Sequence, residues 1–263
     1  MVLLKETADT EAKIEIDPQG KQLSFGAQKP IVNPYDEFAV EAAVSLKEKM
    51  GGDTEVIAAS YGPATVKDRM MRALAMGADR GALVVAPSGE ALDGLALAQV
   101  FAALAKKEDV QMIWCGKQAI DDDNMHMVPM LAEKLGWGHV NVVGAMEWNG
   151  TDGFTNLARE VDGGQTEHYT AKLPLVLGAN KSLNKPRYAP VPKVLQAKKK
   201  PFAQLSVEDL GLNMETLLAG VLTEVDSLEL PPAKPAGRMV EGETVEAMVS
   251  NLVTLLRDEA KVL

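Results

Sequence analysis

The chain has one cysteine among 263 residues, no apolar run of membrane length, and fewer positive than negative side chains. Cys115 alone admits no internal disulfide, and it ends an apolar run rather than standing in a metal-ligand spacing, so a reducing compartment is expected. The longest apolar stretches, such as residues 56–59 and 82–87, fall far short of the roughly 18 consecutive residues that a spanning helix needs. Membrane insertion is not expected. With 27 Lys and Arg against 37 Asp and Glu, the net charge of -10 argues against nonspecific binding to nucleic acid or anionic lipid, which relies on a cationic surface. Met1 to Lys5 are followed at once by Glu6, Asp9 and Glu11, unlike a secretory signal, and a cytoplasmic location is the expectation. Gly-x-Gly-x-x-Gly and Gly-Lys-Ser/Thr loops are missing as well. Ser60-Tyr61-Gly62 lacks the nucleophile-elbow pattern, which leaves an acyl-transfer triad without support.

What is present is enough apolar residue, 46%, to bury a core without disulfide or metal staples. Residues 2–5 read as a short strand, and residues 13–16 and 22–25 alternate polar and apolar around Asp17-Pro18-Gln19-Gly20, as a surface hairpin does. Asn33-Pro34-Tyr35-Asp36 predicts a helix start, with Asn33 as N-cap, Pro34 in first place and Asp36 in the positive first turn. Gly51-Gly52 ends that helix. Strand and helix then alternate: strands over 55–60, 81–85 and 110–115, helices running to Gly77, over 92–106 and over 124–135. Short apolar strands joined by helices imply an open α/β domain, a Rossmann-like parallel sheet with helices on both faces. Residues 140–148, 154–161 and 166–176 predict an antiparallel extension. Beyond Pro190 little regular pattern is visible until a helix over 244–261, reached through the proline-rich linker 231–237.

In such a sheet ligands sit outside the carboxyl ends of the strands. Three loops are expected there: Asn33 to Asp36, Ser60 to Pro63, and Gly116 through Gln118 to Asp121, Asp122 and Asp123. The last loop is expected to open a helix whose free N–H groups could hold a phosphate. Its three aspartates could serve that helix end, a metal or acid/base chemistry; His126 follows, and no further metal-ligand spacing is visible. Lys198, Lys199 and Lys200, close after Lys181, Lys185, Arg187 and Lys193, form either a solvated face or a docking patch for an acidic partner.

Six ordered blocks resemble the beta subunit of electron-transfer flavoproteins across nearly the whole chain. They are Lys5 with Asp9; Asn33 to Glu41; Ala73 to Gly81; Gly116 to Asp123; Arg159-Glu160-Val161-Asp162-Gly163-Gly164; and Leu183-Asn184-Lys185-Pro186-Arg187-Tyr188-Ala189. The resemblance implies a heterodimer in which an alpha subunit holds most of an FAD and this chain forms one wall of its site. Electrons would enter from acyl-CoA-type dehydrogenases and leave to a quinone reductase or another acceptor, with no substrate chemistry and no catalytic residue on this chain. The resemblance further implies that Glu160 faces an alpha-subunit arginine beside the flavin. Leu183, Asn184, Pro186, Arg187 and Tyr188 would lead into a recognition loop whose exposed apolar residue is Val191. Residues 1–190 would form the Rossmann-like domain, and 191–263 the end of that loop, a linker and an arm packed on the alpha subunit.

The family's beta subunit holds an AMP, or a second FAD in electron-bifurcating members. The matching positions here are Leu3, Asn33, Pro34, Tyr35, Asp36, Ala58, Tyr61, Gly116, Gln118, Asp121, Asp123, Asn124, Met125, His126 and Met127. Leu3, Tyr61, His126 and Met127 are bulkier than the family pattern, Val128 replaces a glycine, and Pro129 follows. Bulk at a helix start obstructs a phosphate and obstructs a pyrophosphate more. A non-bifurcating member is expected, its AMP pocket either tight or filled by its own side chains. The alternative is a stand-alone adenine-nucleotide-binding regulatory α/β domain, which accounts for the first half of the chain but not for the recognition-loop block or the arm.

Overall fold

Period-two alternation along the short apolar strands builds two cores from one sheet. The computed structural model describes the chain except residues 19, 21–22, 25–28, 53, 87–91 and 235. After β1 (Val2–Leu3), β2 (Glu6–Thr7) pairs with β5 (Ile31–Val32), and β3 (Glu15–Ile16) with β4 (Leu23–Ser24). That last pair is the expected hairpin in shortened form, and the expected strand residues Gln22 and Phe25 lie outside the described residues. There follow α1 (Pro34–Met50), β6 (Ile57–Gly62), α2 (Lys67–Met76), β7 (Arg80–Val85), α3 (Gly94–Lys107), β8 (Met112–Gly116) and α4 (Met127–Leu135). Then come β9 (Gly138–Trp148), β10 (Gly153–Val161), β11 (Gln165–Lys172), β12 (Leu175–Ala179), α5 (Val191–Ala197), β13 (Phe202–Leu205), α6 (Met214–Ala219) and α7 (Val245–Thr254).

The main sheet has nine strands in the order β11-β10-β9-β12-β8-β1-β6-β7-β13. From β9 to β13 every pairing is parallel, whereas β10 runs antiparallel to both β9 and β11. This is the expected open Rossmann-like sheet with its antiparallel extension. Val2, Ala58, Leu83, Trp114 and Leu177 point into the core covered by α1 and α2. Their neighbours Leu3, Ala59, Val84, Ile113 and Val176 point into the core covered by α3 and α4. Each fully buried Leu, Ile or Val contributes about 1.5–3 kcal/mol relative to exposure, so shifting any of these strands by one residue would invert both cores.

Three expectations are corrected. Residues 166–176 are not one strand: the run breaks at Leu173 and Pro174, because proline cannot donate to a ladder, and β12 leaves the antiparallel edge to insert between β8 and β9. The helix expected from 124 begins at Met127, because Asp123 and Met125 hold φ of 51° and 56°, outside the helical region. Between Pro190 and Ala219 the chain is more regular than expected: α5 packs on α2, β13 adds a parallel edge strand to β7 and α6 follows, whereas no helix or strand lies between Ala219 and α7 among the described residues.

Residues Met1–Asp226 form one compact unit and Ser227–Leu263 another. In the second, α7 is capped by Thr244, whose hydroxyl accepts from Ala247 N–H, and Arg238 pairs with Glu259 at 3.1 Å. Val245, Met248, Val249 and Leu252 are exposed on α7. Among the described residues no helix is long and apolar enough to cross a membrane.

Candidate functional site

The carboxyl ends of β1, β6 and β8 border a cleft of about 470 Å³, and α1, α3 and α4 start around it. Its floor is tied together by Asp36, in the first turn of α1. One carboxylate oxygen accepts from Lys5 N–H at 2.7 Å; the other accepts from Asn33 Nδ2 at 2.9 Å and from Gly116 N–H at 3.1 Å. Three loop ends therefore meet on one buried carboxylate. Burial pushes its pKa up to about 7, against the lowering effect of these three donors. A Cβ at Gly116 would lie 2.5 Å from Asp36 Oδ1 and 2.7 Å from the Tyr35 carbonyl carbon, so this approach needs glycine.

Asn33 stands at the N-cap position of α1 but does not cap it with its side chain. Its Nδ2 also donates to the Gln118 carbonyl at 2.9 Å and its Oδ1 accepts from Ile120 N–H at 3.2 Å, so it anchors the loop after β8 instead. The three aspartates of that loop are not at a helix end, since α4 starts at Met127. Asp121 and Asp122 pair with Lys5 at 2.7 and 2.9 Å, and Asp123 accepts from Gln118 Nε2. Burial works against the Lys5 charge, but the two carboxylates outweigh it and hold its pKa above the ordinary lysine value. Among the described residues no group of three or more His, Cys, Asp and Glu side chains is arranged to hold a metal.

Of the positions matched to the nucleotide site, Leu3, Asn33, Asp36, Tyr61 and Gly116 line the cleft, as do Gln118, Asn124, Met125, His126 and Met127. Pro34, Tyr35, Ala58, Asp121 and Asp123 do not stand among the lining residues. Pro34 and Tyr35 open α1, with the Tyr35 ring 5.1 Å beneath Lys117 Nζ. Ala58 is fully buried in the opposite core. Sequence reasoning missed Asp93, which caps α3 through Ala96 N–H and also accepts from Leu222 N–H at 2.8 Å, drawing residues 222–223 to the cleft rim. An Asp ahead of an apolar helical run was the available signal. His126 packs against Gly94 at the start of α3, so tightly that a Cβ there would collide with its ring.

Glu160 lies elsewhere, at the end of β10, where Asn180 Nδ2 donates to it at 2.7 Å and Ser182 Oγ donates to its other oxygen. The segment after β12 divides into tied and presented residues. Leu183 packs on the core, Asn184 Nδ2 donates to the Phe38 carbonyl at 2.9 Å, half-buried Pro186 follows, and Arg187 pairs with Glu41 and Glu48 on α1. Tyr188 and Val191 are 82% and 67% exposed. Val191 is the first residue of α5 rather than the tip of a loop, and Leu195 stands exposed one turn on. Lys193, Lys198 and Lys199 are exposed near them, but Lys200 turns inward and donates to the Leu74 and Ala78 carbonyls at 2.8 and 2.6 Å.

Residues 23–210 match the electron transfer flavoprotein domain. The chain is similar to the electron transfer flavoprotein subunit beta of Bacillus subtilis, 38% identical over 263 residues covering 100% of this chain and 98% of that one. It is 40% identical over 254 residues to the subunits of that name from Sus scrofa and Homo sapiens, covering 96% of this chain and 95% of each of theirs. This chain belongs to the electron transfer flavoprotein family, among its beta subunits.

Proposed function

We propose that the chain works in a heterodimer with an alpha subunit that holds most of an FAD, accepting electrons from acyl-CoA-type dehydrogenases and releasing them to a quinone reductase or another acceptor. The observation that carries this reading is the division of labour after β12: Leu183, Asn184 and Arg187 are bound down, while Tyr188, Val191 and Leu195 are displayed to solvent. An apolar face whose backbone is already held loses little entropy when a partner covers it. Exposed Lys193, Lys198 and Lys199 suit an acidic partner and speed its arrival. The flavin, when bound, supplies the electron chemistry; this chain supplies shape and charge, with Glu160 facing the flavin site of the alpha subunit.

The cleft at β1, β6 and β8 is large enough for one mononucleotide, and its donor set suits it poorly to two phosphates. Pro129 takes the third position of α4 and has no N–H, so that helix start offers one donor fewer. Lys5 is already paired, and Asp93 and Asp122 line the wall. AMP is held weakly, a second FAD is not held, and the protein does not bifurcate electrons. Asn33, Asp36, Gly116 and Gln118 would form the mononucleotide's floor.

Co-expression with the alpha subunit tests the whole reading. A yellow heterodimer with one flavin is expected. Two flavins per heterodimer would refute the non-bifurcating assignment. A colourless chain that stays monomeric and carries adenine nucleotide would favour a stand-alone regulatory domain.

A further inference from the structure

The Glu160 carboxylate is exposed, yet it is not free to choose its direction. Asn180 Nδ2 donates to Oε2 at 2.7 Å, and Ser182 Oγ donates to Oε1. Asn180 Nδ2 also reaches Ser182 Oγ at 3.3 Å, which closes the three side chains into one network. Asn180 is itself held by its backbone, whose N–H donates to the Val143 carbonyl at 3.0 Å, and only 4% of the residue is exposed. Beneath the carboxylate lies Gly144 of β9. Any Cβ there would collide with Glu160 and come within 2.8 Å of Ser182 Oγ, so the strand leaves a seat for the acid.

A second observation gives the cost of this arrangement. Asn180 Oδ1 is buried and has no hydrogen-bond partner among the described residues. Rotating the amide would offer that oxygen another environment, but it would turn an acceptor toward the carboxylate. The negative charge of Glu160 dictates the amide's direction, and the orphaned oxygen follows from it. A buried acceptor left unmatched to orient an exposed acid makes sense where the acid's direction matters.

We propose that Asn180 and Ser182 are positioning residues that fix the Glu160 carboxylate toward the flavin site of the assembled heterodimer, so that the three together set the flavin's reduction potential. The inference rests on the reading of Glu160 given above. A fixed negative charge disfavours adding electrons to a nearby group, and its effect weakens when the charge swings into solvent.

The test is spectroelectrochemical titration of purified heterodimers carrying Glu160→Gln, Asn180→Ala, Ser182→Ala and Ser182→Thr, with flavin content and thermal midpoint as checks on assembly. Glu160→Gln is expected to raise the flavin midpoint potential. Asn180→Ala and Ser182→Ala should raise it by part of that shift, Ser182→Thr should restore the wild-type value by keeping the hydroxyl, and Ser182→Ala should add nothing in the Glu160→Gln background. If Glu160→Gln shifts the potential while both alanine variants leave it unmoved, the positioning role is overturned and the Glu160 reading stands. If Glu160→Gln itself leaves the potential unmoved, the reading of Glu160 fails and this inference with it.

Discussion

Arg187 lays its guanidinium across the carboxylate of Glu41, with Nε donating to one oxygen at 2.8 Å and Nη2 to the other at 2.9 Å. The same guanidinium reaches Glu48 at 2.6 and 2.9 Å, so one side chain after β12 grips two turns of α1. Only 9% of the Glu41 side chain is exposed. Burial opposes its charge, but the Arg187 and Ser45 hydrogen bonds outweigh that and hold its pKa below the ordinary glutamate value. Removing one partner of such a pair leaves a buried charge unmatched, at about 2–4 kcal/mol. Arg187→Ala should lower stability by that order and raise the KM for the electron-donating dehydrogenase while kcat stays nearly constant, because the displayed residues lose their anchor. Since the folded pKa of Glu41 is depressed, its contribution is present above pH 4.5 and is lost as pH falls through the lower folded value. Urea midpoints against pH should therefore show a steeper acid decline for wild type than for Arg187→Ala.

Val191 offers a small apolar surface at the start of α5. A leucine there adds one CH₂, worth about 0.8 kcal/mol if fully buried against a partner. Val191→Leu should lower the dehydrogenase KM by about fourfold at most, and Val191→Glu should raise it sharply; steady-state kinetics with the dehydrogenase as varied substrate reads both. Unchanged KM in both variants would mean that the partner docks on another surface.

Gly116 has no room for a side chain between Asp36 and the Tyr35 backbone. Gly116→Ala must push the start of α1 away from β8, breaking the Gly116 N–H bond to Asp36. Overpacking of this kind costs about 1–3 kcal/mol, and the lost hydrogen bond adds to it. A lowered thermal midpoint is expected, along with reduced nucleotide content of the purified heterodimer. Stability loss with intact nucleotide content would separate the strand junction from the cleft.

The parallel sheet and its helices were readable in the sequence because their signals are local: Pro34 and Asp36 at a helix start, Gly51 at its end, and apolar runs such as 82–85 between them. What escaped was set by contacts distant in sequence. Phe202 to Leu205 is a four-residue edge strand that exists because β7 offers it a ladder, and nothing within those four residues demands a strand. Leu175 to Ala179 is apolar on both sides because it lies inside the sheet between β8 and β9, a topology that the local pattern does not encode. In the candidate site, the glycine and asparagine positions were legible as loop chemistry. Their partners were not: Asn33 looked like a cap and instead binds the Gln118 carbonyl and Ile120 N–H, 85 and 87 residues along the chain.

Pro129 is the third residue of α4, which opens at the cleft-lining Met127, and it leaves that helix start one N–H donor short. Pro129→Ala returns that N–H without adding bulk, and a helix start with one more free donor holds an anion better. The heterodimer should then release more AMP on denaturation than wild type does, measured by chromatography of the supernatant against flavin content. No increase would place the obstruction in His126 and Met127, and Pro129→Ala combined with His126→Ala would then be the deciding variant.

Asp36 ties a pH dependence to the floor of the cleft. Its folded pKa is raised from 3.8 to about 7 by burial, so the folded state holds the proton more firmly than the unfolded chain does. The stability this adds is fully present below pH 3.8 and is lost as pH rises through about 7. Asp36→Asn cannot titrate. It also presents an amide N–H₂ where the carboxylate accepted from Lys5, Asn33 and Gly116, leaving at least one buried donor unmatched at about 1–3 kcal/mol. The variant should be less stable than wild type at pH 5, and the gap should narrow as pH approaches 7. Three donors and the start of α1 act on the carboxylate in the opposite sense, favouring its charged form. A gap that stays constant between pH 5 and 7 would mean that those donors outweigh burial and that Asp36 stays ionised throughout.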